Sequence, residues 1–284
     1  MREGGMSKRY ASVTGRIVPV DEVSVSVFDR GFLYGDGVFE TIRVRSGRCI
    51  RLNRHVDRLR NGLGVLSIAD PFLNVDIETA IGELLEANRQ TNARVRVTVT
   101  RGEGRPGKIG ASEGAPTVII TSDDLADSPP EPARAIVASI RRDENNPLSS
   151  VKSLNYLPSV LARIEAERAG ADDALLLNTR GCISDGTVGN VFLIQGEKLL
   201  TPALSEGPLP GTVRAAVIEM ARDLGFDVLE TSISLQEISK ADEAFYTNAI
   251  QLVRPICSIS GSMIGNNKHI ASARIREALL ALEE

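Results

Sequence analysis

A lysine in apolar company is the first residue of this sequence that is suited to covalent chemistry. Lys152 lies in "SSVKSLNYLPSVLARIEAERAG" (149–170), just ahead of a helical pattern, and it is one of only six lysines among 33 basic residues. An apolar setting lowers the pKa of a lysine, and the neutral amine can attack a carbonyl to form a Schiff base. The alternative is a structural lysine that snorkels to solvent or forms a salt bridge. Lys152 is therefore a candidate nucleophile.

Three other motifs contain groups that would complement such a lysine. The segment "LPGTVR" (209–214) opens a predicted helix, so its free backbone N–H groups and the positive end of the helix dipole can bind a phosphate. Asp185, on the glycine-rich turn of "SDGTVGNVFLI", can pair with a cationic ring nitrogen, and Arg51 is a charge in an apolar strand. The ordinary alternatives are helix capping, a turn aspartate that binds its own backbone, and a solvated strand face. A Schiff-base lysine, a phosphate site and an acid for a pyridinium nitrogen together indicate a pyridoxal phosphate site.

Composition excludes several other classes of protein. The chain has 284 residues, 42% of them hydrophobic, and a net charge of −4 with acidic and basic residues interspersed, so no nucleic-acid partner is expected. The N-terminal "MREGGMSKRY" lacks an apolar signal-peptide core, and no run reaches the roughly 18 apolar residues of a membrane span. The three cysteines and two histidines are isolated, which argues against a metal site or a serine–histidine triad. We expect a soluble cytoplasmic protein with no membrane partner.

The first half of the chain mixes strand and helix patterns. "VSVSVFD" (23–29) alternates as a strand should, and "VFETIRVRSGRCIRL" (38–52) predicts a hairpin that turns at Ser46-Gly47. Two amphipathic helices are predicted over 53–66 and 76–90, and two strands over 93–102 and 115–122. In the first helix, Val56, Leu59 and Leu63 lie on one face.

A polar, proline-rich segment divides the chain. "TSDDLADSPPEPARA" (121–135) has the composition of an interdomain linker, and the alternative is a long surface loop inside one domain. We predict a small N-terminal α/β domain over 1–122, a linker over 123–133 and a large C-terminal domain over 134–284. In the large domain, the helix after Lys152 has Val160, Leu161 and Ile164 at helical spacing. Both halves mix sheet and helix, so the fold class is α/β or α+β.

These motifs resemble those of the class IV (fold-type IV) pyridoxal-phosphate enzymes, which include branched-chain and D-amino-acid aminotransferases and aminodeoxychorismate lyase. The segments that match this family in order are "FDRGFLYGDGVFETIRV" (28–44), "RLNRHVDRL" (51–59), "KSLNYL" (152–157), "GCISDGTVGNVF" (181–192) and "LPGTVR" (209–214). The resemblance implies a two-domain, D-amino-acid aminotransferase-like fold whose large domain binds pyridoxal 5′-phosphate. It also implies a homodimeric enzyme that takes an amino donor and a 2-oxo acid acceptor.

The resemblance assigns cofactor roles to individual residues. It implies that Lys152 forms the internal aldimine and moves a proton between substrate and cofactor carbons, and that Arg51 binds the phosphate. Thr212 and Val213 would donate backbone N–H groups to the phosphate, and Asn190 would support the glycine-rich turn. Asp185 departs from the family, which usually has glutamate there. We still expect it to face the ring nitrogen, because a protonated nitrogen makes the ring an electron sink.

The resemblance also suggests where a substrate binds. Tyr34 and Phe39 occupy the small-domain segment that lines the family's substrate pocket. The segment "GEGRPGK" lacks the arginine and histidine with which D-amino-acid aminotransferases hold the substrate carboxylate. Arg105 and Lys108 are candidates for binding acidic substrates there, and solvated loop charges are the alternative.

Two reactions and one non-catalytic role are consistent with these residues. A transaminase is favoured, because transaminases are the broader part of the family. An aminodeoxychorismate lyase, which releases 4-aminobenzoate and pyruvate, is the alternative, since Asn248-Ala249 in "FYTNAIQLVRPI" resembles the lyase version of this strand. A non-catalytic relative is disfavoured by the presence of Lys152, Asp185 and Arg51 together.

Overall fold

The chain folds into two compact units. A computed structural model describes residues 9–73, 76–105, 107–110, 114–126 and 128–283. Unit 1 contains the described residues up to Ala126 together with Val151–Asn155, and unit 2 contains those from 128 to Ser150 and from Tyr156 onward. The domains over 1–122 and 134–284 and the linker over 123–133 stay a prediction. The two units differ from the predicted domains at Val151–Asn155. This segment belongs to unit 1, because its backbone bonds to a strand of that unit.

Unit 1 is built on an antiparallel sheet that carries two amphipathic helices. Its elements are β1 (Tyr10–Val13), β2 (Arg16–Pro19), α1 (Arg30–Tyr34), β3 (Gly37–Arg45), β4 (Arg48–Cys49), α2 (Leu52–Leu66), α3 (Ile77–Asn88), β5 (Ala93–Thr100) and β6 (Thr117–Asp124). Within the described residues the strand order is β2-β1-β6-β5-β3-β4. Every pairing in this order is antiparallel.

Hydrophobic periodicity explains how the core of unit 1 forms. Val95, Val97 and Val99 alternate along β5 and are fully buried, as the two-residue period of a strand requires. Leu59 and Leu63 lie one turn apart on α2 and are buried in the same core. The predicted strand and helix are thus confirmed. The predicted hairpin turn is also confirmed, because Ser46 and Gly47 both have positive φ (48° and 76°) between β3 and β4.

The predicted strand over 23–29 is wrong. Residues 23–28 have no strand structure, and Val25, Val27 and Phe28 are exposed. Alternation of valine with serine suits a strand only when a neighbouring strand pairs with it, and none does so among the described residues of unit 1. Periodicity alone does not show whether such a neighbouring strand exists.

Unit 2 contains a larger, mixed sheet. Its elements are β7 (Ala133–Arg142), α4 (Leu157–Arg168), β8 (Asp173–Asn178), β9 (Ile183–Gly186), β10 (Asn190–Gln195), β11 (Lys198–Pro202), α5 (Thr212–Ala221), β12 (Asp227–Thr231), α6 (Leu235–Ile238), β13 (Glu243–Asn248), β14 (Leu252–Ile259), β15 (Ser262–Met263) and α7 (Ile270–Ala281). Within the described residues the order is β12-β11-β10-β13-β14-β7-β8-β9, and β15 pairs with β14. No helix in the described ranges is both long and apolar enough to span a membrane.

Helix α4 buries a different face from the predicted one. Val160 and Leu161 are exposed, whereas Ala162 and Ala166 are completely buried against Ala138 of β7 and neighbouring strand residues. Alanine lets the helix backbone approach the sheet closely, so the small residues face inward and the larger aliphatic ones face outward. Helical spacing identified the helix correctly but not its buried face.

Candidate active site

The backbone around Lys152 is held by the first residues of β3. Phe39 N–H donates to the carbonyl of Lys152 at 2.9 Å, and Leu154 N–H donates to the carbonyl of Gly37 at 2.9 Å. Val38 and Ser153 form an antiparallel bridge between these two bonds. A Cβ on Gly37 would lie 2.4 Å from the carbonyl oxygen of Val99, so this close packing requires glycine. Lys152 is therefore positioned by pairing with β3 before α4 begins.

The side chain of Lys152 lies over an aromatic ring. Its Nζ is 4.4 Å from the ring centroid of Phe39, whose exposure is only 5%. The guanidinium carbon of Arg96, on β5, is 3.8 Å from the same centroid. Each cation is attracted to the negative face of the ring. Sequence reasoning did not single out Arg96, because an arginine that alternates with valines is typical of the solvated face of a strand.

Arg51 occupies the start of a helix. It was predicted in a strand, but the structure places it at the N-terminal boundary of α2 with left-handed dihedrals (φ 55°, ψ 33°). Its carbonyl accepts from the backbone N–H groups of Arg54 at 3.1 Å and His55 at 3.3 Å. A non-glycine residue in this conformation is strained by about 1–2 kcal/mol and persists only when its surroundings fix it. Arg51 therefore lies at the start of α2, where hydrogen bonds to its carbonyl hold its backbone in place, and not in a strand.

The remaining predicted residues of unit 1 lie at its surface. Tyr34 ends α1 and is 42% exposed, with the guanidinium of Arg30 5.1 Å from its ring centroid. Arg105 and Lys108 are exposed in the loop after β5. Arg30 Nη1 donates to the carbonyl of Lys108 at 2.6 Å, and Arg30 Nη2 donates to that of Ile109 at 2.6 Å. The buried Arg30 thereby fixes the backbone of a loop whose cationic side chains face solvent.

In unit 2, three predicted residues meet at the start of α5. Thr212 and Val213 are the first two residues of this helix, and both are buried. Asn190, the first residue of β10, donates from Nδ2 to the carbonyl of Leu209 at 2.8 Å. Asn190 thus fixes the loop that enters α5.

Asp185 forms a buried ion pair with Arg142. Arg142 Nη2 donates to Oδ1 and Oδ2 of Asp185 at 3.0 and 2.9 Å, and its Nε lies 3.3 Å from Oδ1. Burial raises the pKa of the Asp185 carboxyl, while the charge and hydrogen bonds of Arg142 and the N–H of Leu209 oppose that rise. Sequence reasoning missed Arg142. A pair of arginines ending the apolar strand "ARAIVASIRR" was the available signal.

A glycine before α5 gives the first testable prediction. A Cβ on Gly211 would lie 2.0 Å from Oδ1 of Asn190, although the backbone of Gly211 (φ −73°, ψ 138°) suits any residue. We expect Gly211→Ala to displace Asn190, to lower the free energy of unfolding by about 1–3 kcal/mol, and to weaken binding of inorganic phosphate. The matched control is Gly82→Ala in α3, where a Cβ meets nothing within 4 Å. It should stabilise the protein by roughly 0.5–1 kcal/mol. Equal effects of the two changes on thermal unfolding would contradict the steric argument.

Comparison with known proteins shows the class to which this fold and these residues belong. The model of the family "Amino-transferase class IV" matches residues 37–259. A Methanocaldococcus jannaschii protein named "Putative branched-chain-amino-acid aminotransferase" is 38% identical over 265 residues, covering 91% of this chain and 90% of its own. The aminodeoxychorismate lyase of Bacillus subtilis is 31% identical over 267 residues, covering 93% and 91%.

Solved structures show the same fold. The branched-chain aminotransferase of the archaeon Thermoproteus uzoniensis, with norvaline, superposes with a TM-score of 0.89 at 28% identity, covering 98% of this chain and 96% of its own. A second branched-chain amino acid aminotransferase, complexed with N-(5′-phosphopyridoxyl)-L-glutamate, also superposes with a TM-score of 0.89. The chain belongs to the class IV aminotransferase family. It is a pyridoxal-phosphate-dependent enzyme of fold type IV, so the predicted family, fold class and cofactor are confirmed.

The residues at the start of α5 fit a phosphate-bearing cofactor. The residue at the N-cap of this helix is Gly211, which has no side chain that could bond to its first backbone N–H groups. Thr247 pairs with Asn190 across β10 and β13, which places both side chains on one face of the sheet. The buried hydroxyl of Thr247 has no hydrogen-bond partner in the described chain. Donors grouped at a helix start suit a phosphate.

Proposed function

We propose that this enzyme is a transaminase in which Lys152 is the cofactor lysine. The observation that carries this proposal is the fixed position of Lys152, whose carbonyl is bonded to β3 and whose Nζ lies 4.4 Å from the Phe39 ring centroid. These contacts keep the lysine at one place in unit 1, where its amine can attack a carbonyl once it is neutral. The enzyme would move an amino group from an amino acid or primary amine to a 2-oxo acid. The 38% identical relative supports a branched-chain amino acid as the donor.

We infer that six residues hold pyridoxal phosphate. They are Arg51, Lys152, Asp185, Asn190, Thr212 and Val213. Thr212 and Val213 would donate backbone N–H groups to the phosphate, to which Arg51 adds a positive charge. Asn190 would keep the loop before α5 in place through its bond to Leu209.

Two side chains would carry the chemistry. When bound, pyridoxal phosphate withdraws electrons from the substrate's α-carbon and so makes its proton acidic. The Nζ atom of Lys152 would accept that proton from the substrate carbon and deliver it to a carbon of the cofactor. Asp185 would keep a negative charge at the ring nitrogen, and Arg142 supports its ionised form through two hydrogen bonds from Nη2.

Phe39 and Tyr34 remain our candidates for the walls of the substrate pocket, and Arg105 and Lys108 for binding an acidic substrate. Arg96 is an additional candidate for the same task. It contacts the ring that also contacts Lys152, whereas Arg105 and Lys108 lie in the loop after β5; all three residues are exposed. A substrate carboxylate near Lys152 would therefore meet Arg96 as a fixed positive charge.

The lyase reaction is the second candidate. It is supported by the B. subtilis lyase, 31% identical over 93% of this chain, and by Asn248-Ala249. In the structure, Oδ1 of Asn248 accepts from the backbone N–H groups of Ile250 at 3.0 Å and Gln251 at 2.8 Å. Asn248 thus stabilises the turn after β13. This local role explains the asparagine in either enzyme, which weakens it as a sign of the lyase.

A homodimer and a cytoplasmic location remain parts of the proposal. Large apolar side chains are exposed in unit 1 at Phe28, Phe32 and Leu33, and in unit 2 at Leu157 and Leu161. Exposed apolar surface supports association with a second copy, because its burial is favourable.

A visible absorbance spectrum of the holoenzyme tests the proposed reaction. Leucine, D-alanine and an R-configured amine are added singly, followed by a 2-oxo acid. We expect leucine to bleach the cofactor absorbance and the 2-oxo acid to restore it. Indifference to every donor, together with release of 4-aminobenzoate from aminodeoxychorismate, would establish the lyase instead. A protein that gains no absorbance from added pyridoxal phosphate would refute both.

A further inference from the structure

Helix α7 packs against α5 in the core of unit 2. Ile275 and Leu279 of α7 are completely buried, and they lie in the same hydrophobic cluster as Val213 and Val217 of α5. Val213 is also one of the two residues that begin α5. The packing of α7 therefore supports the helix whose first turn is the proposed phosphate site.

The N-terminus of α7 is held by a carboxylate from a strand. Oε1 of Glu243, the first residue of β13, accepts from the backbone N–H of Ala271 at 2.8 Å. Oε2 of Glu243 accepts from the N–H of Ser272 at 2.9 Å and from its hydroxyl at 2.7 Å. A negative charge is favourable at the positive end of a helix dipole. These bonds attach the first turn of α7 to the sheet.

His269, the residue before α7, has a strained backbone and a poorly hydrated ring. Its dihedrals are left-handed (φ 52°, ψ 32°), a conformation that persists for a non-glycine residue only when its surroundings fix it. Its carbonyl accepts from the N–H of Ala273 at 3.1 Å, so this conformation begins the helix. Both ring nitrogens are shielded from solvent, and neither has a hydrogen-bond partner in the part of the chain that the structure describes.

Glu243 is the charged group that acts on His269. Burial lowers the pKa of His269, and the negative charge of Glu243 opposes this effect. The oxygens of Glu243 already accept from three donors of α7, and they do not bond to the ring. Lys268, the neighbour of His269 in the chain, is exposed.

Charged side chains on the other elements around α7 are bonded elsewhere. They are Arg214 of α5, which donates to Glu230, Asp242 before β13, which accepts from the N–H of Gly196, Arg254 of β14, which donates to the carbonyl of Glu131, and Arg274 of α7, which donates to that of Leu224. A positive charge on the His269 ring would therefore have Glu243 as its counter-charge, at the expense of the bonds that hold the helix.

We propose that His269 is a pH-sensitive latch of α7: the neutral ring keeps the first turn of the helix closed, and protonation of the ring opens it. A protonated ring would place a positive charge beside the positive end of the helix dipole, with two N–H groups that have no acceptor among the described residues. Movement of the side chain into solvent removes both costs. It also releases the left-handed backbone, whose carbonyl then no longer binds Ala273.

The direction of the pH effect follows from the burial of the ring. A solvated histidine has a pKa of about 6.5, whereas the closed form disfavours the charged ring. Well above this pH both forms are neutral, so the latch stays closed. As the pH falls through about 6.5, the open form takes up a proton more readily than the closed form, and its population rises.

Hydrogen exchange of the full chain, incubated with pyridoxal phosphate, tests the latch. The protection factor corrects each exchange rate for its intrinsic pH dependence. Between about pH 7.5 and 5.5, we expect protection in the first turn of α7 to fall by about threefold or more, because protonation stabilises the open form. Helix α4 of the same unit is the internal control and should change much less.

His269→Asn is the matched variant. Asparagine does not titrate in this range and tolerates a left-handed backbone, so the first turn of α7 should keep its protection on acidification. Equal falls in the wild type and in His269→Asn would overturn the proposal, as would equal falls in α7 and α4 of the wild type.

Exchange of the ring C2 hydrogen, followed by mass spectrometry, tests the latch without any substitution. The chain has two histidines, His55 and His269, which lie on separate peptides, so each can be titrated in the wild type. We expect His269 to titrate below the value of about 6.5 for a solvated histidine. Titration at or above that value would overturn the latch even if His269→Asn failed to fold.

An open α7 would also weaken the support of α5, a consequence that rests on the proposed function. The dissociation constant of pyridoxal phosphate is measured at about pH 7.5 and 5.5 in the wild type and in His269→Asn. Titration of the cofactor's own groups affects both proteins alike. We expect the acid-induced loss of affinity to be about threefold larger in the wild type, in proportion to the opening of α7.

The latch and the proposed function fail in different ways. An acid-induced opening of α7 that His269→Asn abolishes supports the latch, whatever reaction the enzyme performs. If α7 opens in this way but both proteins lose cofactor affinity equally, the link between α7 and the phosphate site is overturned. If the protein gains no absorbance from pyridoxal phosphate, the proposed function fails.

Discussion

Lys152→Ala is expected to abolish covalent attachment of pyridoxal phosphate and to lower turnover by roughly 1000-fold or more, while the protein stays folded. On the proposed mechanism, the variant removes both the amine that attacks the cofactor and the base that moves the substrate proton, and a positioned base alone contributes about 100- to 10,000-fold. The fold should tolerate the change. The Lys152 carbonyl still accepts from Phe39, and the lost contact of Nζ with the ring is worth only about 1 kcal/mol.

Borohydride reduction followed by mass spectrometry measures the attachment directly. The wild type should show one reduced adduct on the peptide that contains Lys152, and the variant none. Lys240→Ala is the matched control, because Lys240 is an exposed lysine of unit 2 and should keep its adduct and activity. Thermal unfolding of the cofactor-free proteins separates loss of chemistry from loss of fold. Normal turnover in Lys152→Ala would refute the mechanism.

Elements with a regular hydrophobic period could be predicted from the sequence alone. The alternation of Val95, Val97 and Val99 specifies a strand with one buried face, and the spacing of Leu59 and Leu63 specifies the inner face of a helix. Both patterns are local, so they do not depend on which element packs against them. The family motifs are likewise read along the chain, and they indicated the class of enzyme correctly.

Predictions that needed a partner from elsewhere in the chain failed or were not made. Residues 23–28 alternate correctly but do not pair with a strand in the described structure. The buried face of α4 is set by the close approach of Ala162 and Ala166 to β7 and β8, which helical spacing does not reveal.

The contacts of the site residues also lie beyond local patterns. Asp185 bonds to Arg142 across 43 positions of sequence, and Lys152 contacts the ring of Phe39 from a distant part of the chain. The sequence singled out Lys152, Phe39 and Asp185 as candidates by residue type and motif. It could not identify Arg142 or Arg96, because their roles arise only when separate strands become neighbours in a sheet.

Asp185→Asn is expected to lower turnover by roughly 100-fold while weakening cofactor binding less than about 10-fold. An amide is neutral, so the ring nitrogen loses the negative charge that favours its protonated form, and one such electrostatic contact contributes about 100- to 1000-fold. On the proposed assignment, cofactor affinity comes mainly from the phosphate contacts and Lys152, which the change leaves in place. Turnover and the dissociation constant of pyridoxal phosphate are measured on the same preparation, with Asp185→Glu as the charge-retaining control.

Arg142 makes the structural contribution of Asp185 separable from the chemical one. In Asp185→Asn, the guanidinium that was bonded to both carboxylate oxygens loses its counter-charge, and breaking a buried pair in this way costs about 3–5 kcal/mol. Arg142 is 21% exposed, so the loss should fall at or below the lower end of this range. The double variant Asp185→Asn/Arg142→Gln removes both charges and should regain most of that stability.

Turnover in the double variant decides between the two roles. If Asp185 acts on the cofactor ring, the double variant unfolds near the wild-type temperature but remains as slow as Asp185→Asn, because no carboxylate has been returned to the ring nitrogen. If Asp185 only neutralises Arg142, stability and turnover recover together. The second outcome would return Asp185 to the status of a structural residue and would require another source of negative charge at the ring nitrogen.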